Sequence, residues 1–447
     1  MKTAIIIGGG LAGLVAARTL ARSGRVRVVV LESAPLLGGK AASWRDADNA
    51  LVEAGLHVCF PYYHHLLRLL DALGASHRIA WTAPSFSYLR GGGDVAHLRF
   101  PHLPAPLHGA LAIARFGHIS LGDRLSAIVG AAEATLSSAG WRQRYESISF
   151  ADWARQRGLA PALLATVFEP MIGGLTFLRP DQVSARAMLA YIHAIGSHAG
   201  HCRTGLFRAG SGEVIVDPLA ADVRRHGGEI HTGTAVASLA LVAGRVGGVH
   251  LADGSAQHAD MVIAAVPSHA LQPLLPDALA GHPALRRAAR LQPVPVASVM
   301  LRLDRRLDGP AGVRFSPGCV FNTWVDMAEL LPELAGTGRS ALQLVVAPMA
   351  ALALLDDAAL LARVLADLHR VLPAARAARL QSAVVTRTPQ SFHAVLPGAD
   401  ALRPPTDLAI PGLLLAGDQV GAGRNPNMES AVISGQHAAQ AALAALA

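Results

Sequence analysis

The chain is poor in cysteine, aromatic residues and charge. Only three of its 447 residues are cysteines, Cys59, Cys202 and Cys319, and no two form a CxxC pair. An odd, scattered set excludes a disulfide framework and fits a reducing compartment. His193, His198 and His201 cluster, but steps of five and three do not bring all three to one helix face. No metal site is expected from them. Aromatics make up 5% and charged residues 16%. No Lys/Arg block is interleaved with aromatics, so the footprint of a nucleic-acid binder is missing. No apolar run reaches the length of a membrane span, and the stretch 341–355 is broken by Gln343 and Pro348. Internal repeats and low-complexity tails are absent too.

Apolar residues, by contrast, make up 52%. That composition excludes a disordered chain and implies a large core or apolar cavities. A single core stops growing near ~300 residues, so 447 residues imply two interleaved domains. Net charge is +8 with a pI near 10.1. Such a surplus favours anionic partners, namely acidic lipid headgroups or an anionic cofactor. Residues 4–17 after Lys2 mimic a short signal peptide, but glycines at 8, 9 and 10 interrupt them.

The apolar pattern predicts a buried strand over 3–7, a helix over 11–22 ended by Gly24, and a strand over 27–31. Residues 60–204 read as mixed and largely helical, with proline-rich loops at 101–106. A helix is expected over 214–225, with strands over 229–232, 235–241 and 260–265. Gly244 and Gly247-Gly248 are expected to mark a turn. Residues 295–303 and 342–347 read as strands of a separate sheet. A last strand spans 413–416, and a helix begins near Met428. The fold class is α/β, α+β overall.

Gly8, Gly10 and Gly13 form G-x-G-x-x-G between the first strand and the first helix. The first glycine permits a tight turn, the second close approach of a pyrophosphate, and the third packing of helix on strand. The helix N-terminus offers N–H groups and a positive dipole to phosphate. Glu32 ends the second strand nineteen residues after Gly13, where a carboxylate accepts the ribose hydroxyls. An acid there disfavours a 2′-phosphate. Leu37-Gly38-Gly39-Lys40 follows, two glycines and a cation suited to a second contact with the diphosphate.

At this point the chain resembles the flavin amine oxidase and phytoene desaturase superfamily of FAD enzymes. Gly38-Gly39-Lys40-Ala41-Ala42-Ser43-Trp44, Glu53-Ala54-Gly55-Leu56-His57-Val58 and Tyr62-Tyr63 are similar to the plant-type phytoene and zeta-carotene desaturases. So are Ser149-Phe150-Ala151-Asp152-Trp153, Ser184-Ala185-Arg186-Ala187-Met188-Leu189 and Val294-Pro295-Val296. Leu415-Ala416-Gly417-Asp418 and Met428-Glu429-Ser430-Ala431 resemble the closing flavin motif. Two positions depart from the pattern. Ser430 stands where the superfamily has glycine, and no arginine stands at the position of Gly212-Glu213-Val214, near which the plant-type enzymes carry one.

The resemblance implies a Rossmann-like FAD domain from residues 1–75, 205–267 and 385–447, and a substrate domain of sheet and helices from 76–204 and 268–384. It implies that Gly8, Gly10, Ala12 and Gly13 meet the FAD diphosphate. Glu32 and Ser33 would take the adenosine ribose, Gly39 and Lys40 the diphosphate or ribitol region. His57, Val58 and Tyr63 would line the flavin, Val236 would meet the adenine, and Gly417 and Asp418 the ribitol. The N–H of Met428 would face the flavin's pyrimidine edge, where a helix N-terminus stabilises negative charge. It further implies dehydrogenation of an isoprenoid hydrocarbon such as a carotene, with quinone or oxygen as electron acceptor. The enzyme would sit peripherally on the inner, cytoplasmic face of a membrane. The rivals are an enzyme of another isoprenoid, such as a squalene-pathway dehydroxylase or a double-bond isomerase, and a flavin amine oxidase. The last would want an aromatic cage, and no paired aromatics flank the closing motif.

Other residues leave alternatives open. His57 reads either as a base beside the flavin or as a hydrogen-bonded structural histidine. Glu169 before Pro170 reads as a buried acid or a helix end. Leu66, Leu67, Leu69 and Leu70 read as helix core. Residues 107–136 read either as a membrane-docking element or as a helix pair with ordinary core faces.

Replacing Glu32 by Ala should remove one or two ribose hydrogen bonds to a charged group, each worth roughly 1.5–3 kcal/mol. FAD affinity measured by flavin fluorescence should fall ten- to a hundredfold or more; an unchanged affinity contradicts the placement of Glu32.

Overall fold

The computed structural model describes residues 1–47, 49–334 and 336–447. Five strands from remote parts of the chain form one all-parallel sheet. Their order is Glu229–His231, Val26–Leu31, Lys2–Ile7, Met261–Ala264 and Leu413–Leu415. Apart from the partly exposed edge strand Glu229–His231 and the exposed Lys2 and Arg27, these runs are apolar on both faces, as a sheet covered on both sides requires. Alternate side chains divide between two cores. Ala4, Ile6, Val28, Val30 and Ile263 pack on the helices Leu11–Ser23 and Met428–Ala445. Ile5, Ile7, Val29, Leu31 and Val262 face an antiparallel sheet of Val236–Val242, Arg245–Leu251 and Ala256–His258.

The two helices approach closely because Gly435 has no side chain. A methyl there would run into the Ala12 carbonyl oxygen and crowd Val15. Gly247 and Gly248 correct the expected turn. Only Gly244 turns the chain, while Gly247 and Gly248 lie within Arg245–Leu251. The reason is proximity, since a methyl on Gly248 would strike the Gln257 carbonyl of the adjacent strand.

A second sheet has seven strands, in the order Leu380–Thr388, Val296–Leu303, Ser340–Val346, Phe321–Asp326, Arg314–Phe315, Ser85–Arg90 and Asp94–Arg99. One face, with Val299, Leu301, Leu342 and Leu344, packs on the helix Asp357–Val371. The other carries Met300, Val325 and Phe315 into a core shared with helices of residues 107–196. Residues 60–204 are mixed and largely helical, as expected, and their hairpin Ser85–Arg90/Asp94–Arg99 completes a sheet whose other strands lie more than 200 residues on. Leu380–Thr388 runs across the expected domain boundary at 384/385 and pairs along Val296–Leu303.

Residues 107–136 form two helices, Leu107–Ala114 and Leu121–Leu136. The second buries Ala127, Gly130 and Ala134 and contacts Ala185–Gly196. Its opposite side is exposed. Glu169 is not a buried acid. It is exposed and stands at a helix end, where the π-helical segment Leu164–Phe168 passes into the helix Glu169–Thr176 just before Pro170. The three clustered histidines have separate local partners, Thr135 for His193, Gly200 for His198, and Ser197 with Ala194 for His201.

Gly435→Val should force the two helices apart. Overpacking of this kind costs about 1–3 kcal/mol, visible as a lower denaturant midpoint with an unchanged slope.

Candidate functional site

Parallel strands end together, so the residues that follow them meet at one sheet edge. Ile7 leads into Gly8, Leu31 into Glu32, Ala264 into Ala265, and Leu415 into Gly417 and Asp418. Gly8 adopts φ +105° and its N–H donates to the Leu31 carbonyl at 2.8 Å. A methyl on Gly13 would run into the Gly8 carbonyl oxygen. Around a methyl on Gly10 the nearest atom would be the Gly38 carbonyl oxygen at 3.9 Å, so this point of the turn is open. Gly10 precedes the helix Leu11–Ser23, whose first turn, including Ala12, has no side-chain cap. Its N–H groups are left for an anion.

The second glycine loop folds onto the first. Gly38 forms a parallel bridge with Gly10, and its N–H donates to the Gly9 carbonyl at 2.9 Å. A methyl on Gly39 would lie 3.4 Å from the Gly10 Cα. Glu32 accepts from the Gly9 N–H at 2.7 Å and the Ala34 N–H at 2.8 Å, with Ser33 Oγ at 3.3 Å. The Thr234 N–H donates to the Glu32 carbonyl, which brings Val236 to the same end of the site.

Lys40 Nζ donates to both Asp418 carboxylate oxygens, at 2.9 and 2.8 Å. Burial alone would raise the Asp418 carboxyl. Lys40, and after it Arg403, hold it below its usual range. Gly417 adopts φ +135° and its N–H donates to Ser434 Oγ on the last helix. Met428 is the first residue of that helix, and Asn427 caps it by accepting from the Ser430 N–H at 2.9 Å.

His57 has partners on both ring nitrogens. Nε2 lies 2.9 Å from the Lys40 carbonyl, and Nδ1 lies 3.2 Å from Ser211 Oγ and 3.4 Å from Glu53 Oε2. Ser211 in turn donates to Glu53 at 2.6 Å. The structure thus ties His57 to the Lys40 loop. Val58 lines an apolar cavity with Leu56, Phe86, Met171, Phe315 and Val345. Thr204 and Thr323 are its only polar side chains among the described residues, and its space is about 50 Å³. Tyr63 belongs to a buried aromatic cluster with Phe60 and Tyr62, ring centroids 5.2–5.5 Å apart. Burial pushes the hydroxyls of Tyr62 and Tyr63 well up. These rings pack on one another and do not wall an open cage.

The family profile of flavin containing amine oxidoreductases matches residues 11–443. The chain belongs to that family. It is an oxidoreductase, and its cofactor is FAD. Among its relatives is the 15-cis-phytoene desaturase of Synechococcus elongatus, 28% identical over 452 residues that cover 98% of this chain and 95% of that one. The probable zeta-carotene desaturase of the same organism is 29% identical, covering 99% of this chain and 98% of its own. Among solved structures, an oxidoreductase from Methanosarcina mazei superposes with TM-score 0.77 at 21% identity, covering 98% of this chain and 100% of that one. A putrescine oxidase superposes at 0.71 and 19%, covering 99% of each chain.

The residues of this flavoprotein fit a dinucleotide. The open glycine at 10 and the bare helix N-terminus suit a diphosphate, and the Glu32 carboxylate keeps lone pairs for a ribose.

Four further groups serve the site, and of these only Glu429 lies in a motif read from the sequence. Arg403 is buried and donates to the carbonyls of Asp418 at 2.9 Å, Gln419 at 3.2 Å and Arg424, and to Asp400 at 3.2 Å. Asp400 accepts from the Gly423 N–H and lies 3.4 Å from Arg186, whose Nε donates to Glu146 at 2.7 Å. Glu429 accepts from the N–H groups of His65 and Leu66, satisfying the start of the helix His64–Ala72. His393 lines a narrow cleft with Lys40 and Asp418, and its Nδ1 has no hydrogen-bond partner among the described residues. Burial, followed by Arg403, pushes its ring down to about 3, so it is neutral at physiological pH.

Arg403→Met should strand three carbonyls and take one cation from Asp400, which keeps Arg186 and the Gly423 N–H. Removing one member of a buried charge pair costs about 3–5 kcal/mol. The variant should show a lower denaturant midpoint and should lose flavin on gel filtration, while a variant as stable and as yellow as the parent contradicts this role.

Proposed function

We propose that this flavoprotein dehydrogenates an isoprenoid hydrocarbon of the carotene class, removing two hydrogens and forming a C=C bond. The observation that carries the reading is the end-to-end similarity to phytoene and zeta-carotene desaturases. The apolar cavity beside Val58 supports it, since no charged group lines it. A cavity so narrow must widen when a chain enters.

Bound FAD supplies the two-electron acceptor. The protein's own groups then bind, orient and exclude water. In this reading Gly8, Gly10, Ala12 and Gly13 take the diphosphate and Glu32 with Ser33 the adenosine ribose, with Val236 beside the adenine. Gly39, Lys40, Gly417 and Asp418 hold the middle of the cofactor. His57, Val58 and Tyr63 line the ring system, and the positive N-terminal end of the helix at Met428 favours negative charge near it. His57 is a positioning residue, because both its nitrogens are spoken for. The chain divides into a cofactor domain around the parallel sheet and a substrate domain around the seven-stranded one. No helix of the described residues is long and apolar enough to cross a membrane. A hydrocarbon substrate is dissolved in the bilayer, because each buried CH₂ adds about 0.8 kcal/mol to its transfer from water. The enzyme therefore works from the cytoplasmic membrane face, with a quinone, or oxygen, as final acceptor.

Mixed anaerobically with carotenes in vesicles, the yellow protein should bleach within turnover time. It should stay yellow with squalene derivatives and with soluble amines. Bleaching by an amine alone would assign the amine-oxidase reading instead.

A further inference from the structure

The exposed apolar side chains are not scattered. Of the eleven large hydrophobic residues left exposed among the described residues, seven lie between 95 and 136. Leu121, Leu125, Val129 and Leu136 recur at helical spacing along one side of Leu121–Leu136 and are between 59% and 72% exposed. Leu103 and Leu107 extend the patch to the preceding loop and helix. Concentration of this kind marks an interaction surface and not ordinary surface leucines.

Beside this patch lies an open groove of about 600 Å³, between the edge strand Asp94–Arg99 and the C-terminal end of Leu107–Ala114. Val95, Phe100 and Pro101 line it, and Arg99 and Arg115 supply its charge. Both arginines are exposed, and neither has a hydrogen-bond or ion-pair partner among the described residues. The arginines nearby are committed: Arg90 to Asp94, and Arg124 to the carbonyls of Ile119 and Ala114. The acids nearby are committed as well, Asp94 to Arg90 and His118, and Asp123 to Ser120. His97 shares the groove, where burial and Arg99 hold its ring below the ordinary value. The groove thus presents two unpaired guanidinium groups at the rim of an apolar face.

We propose that this groove is a phosphate site for an anionic phospholipid of the membrane on which the enzyme works. Arg99 and Arg115 take the headgroup phosphate, while the Leu121–Leu136 stripe enters the acyl boundary. Guanidinium groups match phosphate geometrically and shed water readily. An amphipathic helix lying in the interface buries its apolar side in the same way. The assignment rests on the membrane reading above and adds to it a defined lipid chemistry and place.

The test uses full-length, FAD-loaded protein and flotation with phosphatidylcholine vesicles, with and without phosphatidylglycerol. Each basic contact near an anionic surface is worth about fivefold in binding. Arg99→Gln/Arg115→Gln should therefore bind phosphatidylglycerol vesicles about 25-fold more weakly than the parent, with binding to pure phosphatidylcholine unchanged. Arg286→Gln/Arg287→Gln removes the same charge from another exposed helix and should lose much less. A loss in the groove variant no greater than in this control overturns the phosphate site. Leu125→Glu/Val129→Glu examines the membrane reading itself and should lose both kinds of vesicle. If that variant floats like the parent, or the parent floats with neither vesicle, the membrane reading falls, and the phosphate site with it. Flavin content and thermal midpoint, measured on every variant, separate lost binding from lost folding.

Discussion

Parallel pairing of strands far apart in the chain is the constraint on which the rest of this structure depends. Lys2–Ile7 lies between Val26–Leu31 and Met261–Ala264, and Leu413–Leu415 joins Met261–Ala264 on its far side. Because the strands run the same way, every segment delivers its following loop to one edge. The glycine turn, Glu32 and the Gly417-Asp418 pair meet there only for that reason. Burial on both faces makes the register strict, since a slip by one residue would exchange the two cores.

A second constraint acts on the loop between Leu415 and Met428. Irregular backbone inside a protein must find partners for its carbonyls. Arg403 provides them for residues 418, 419 and 424, and Asp400 provides for Gly423. The same cluster continues through Arg186 and Glu146 into helices of the other layer. One buried network of charge therefore fixes the loop carrying Asp418 and also ties it to Ala185–Gly196. The Lys40–Asp418 pair closes the arrangement from the opposite side, joining the second glycine loop to the fifth strand.

Much of the parallel layer was legible because its signals are local. A β-branched run, glycines at fixed steps and an acid at the end of the next strand each follow from neighbouring residues. Gly8 and Gly13 behave as their spacing requires, one by its positive φ and the other by its contact with the Gly8 carbonyl. The hairpin at Ser85–Arg90 was not legible. Its pairing partner Arg314–Phe315 is remote, and nothing in its own alternation separates an edge hairpin from loop. Gly247 and Gly248 misled for a related reason, since a glycine required by a neighbouring strand looks like one required by a turn.

The sequence by itself determined the dinucleotide turn, its acidic partner, the two cation and anion positions at Lys40 and Asp418, and the kinship with flavin enzymes. These are properties of residue type and short spacing. Only the tertiary structure decided that Lys40 and Asp418 pair, that His57 is held on both nitrogens, and that Arg403 and Glu429 serve the site. It also decided which side of Leu121–Leu136 faces outward and that Arg99 and Arg115 stand unpaired beside it. Contacts between residues hundreds of positions apart leave no periodic trace in the chain, because their energy comes from burial and from partners that only the folded state brings within reach.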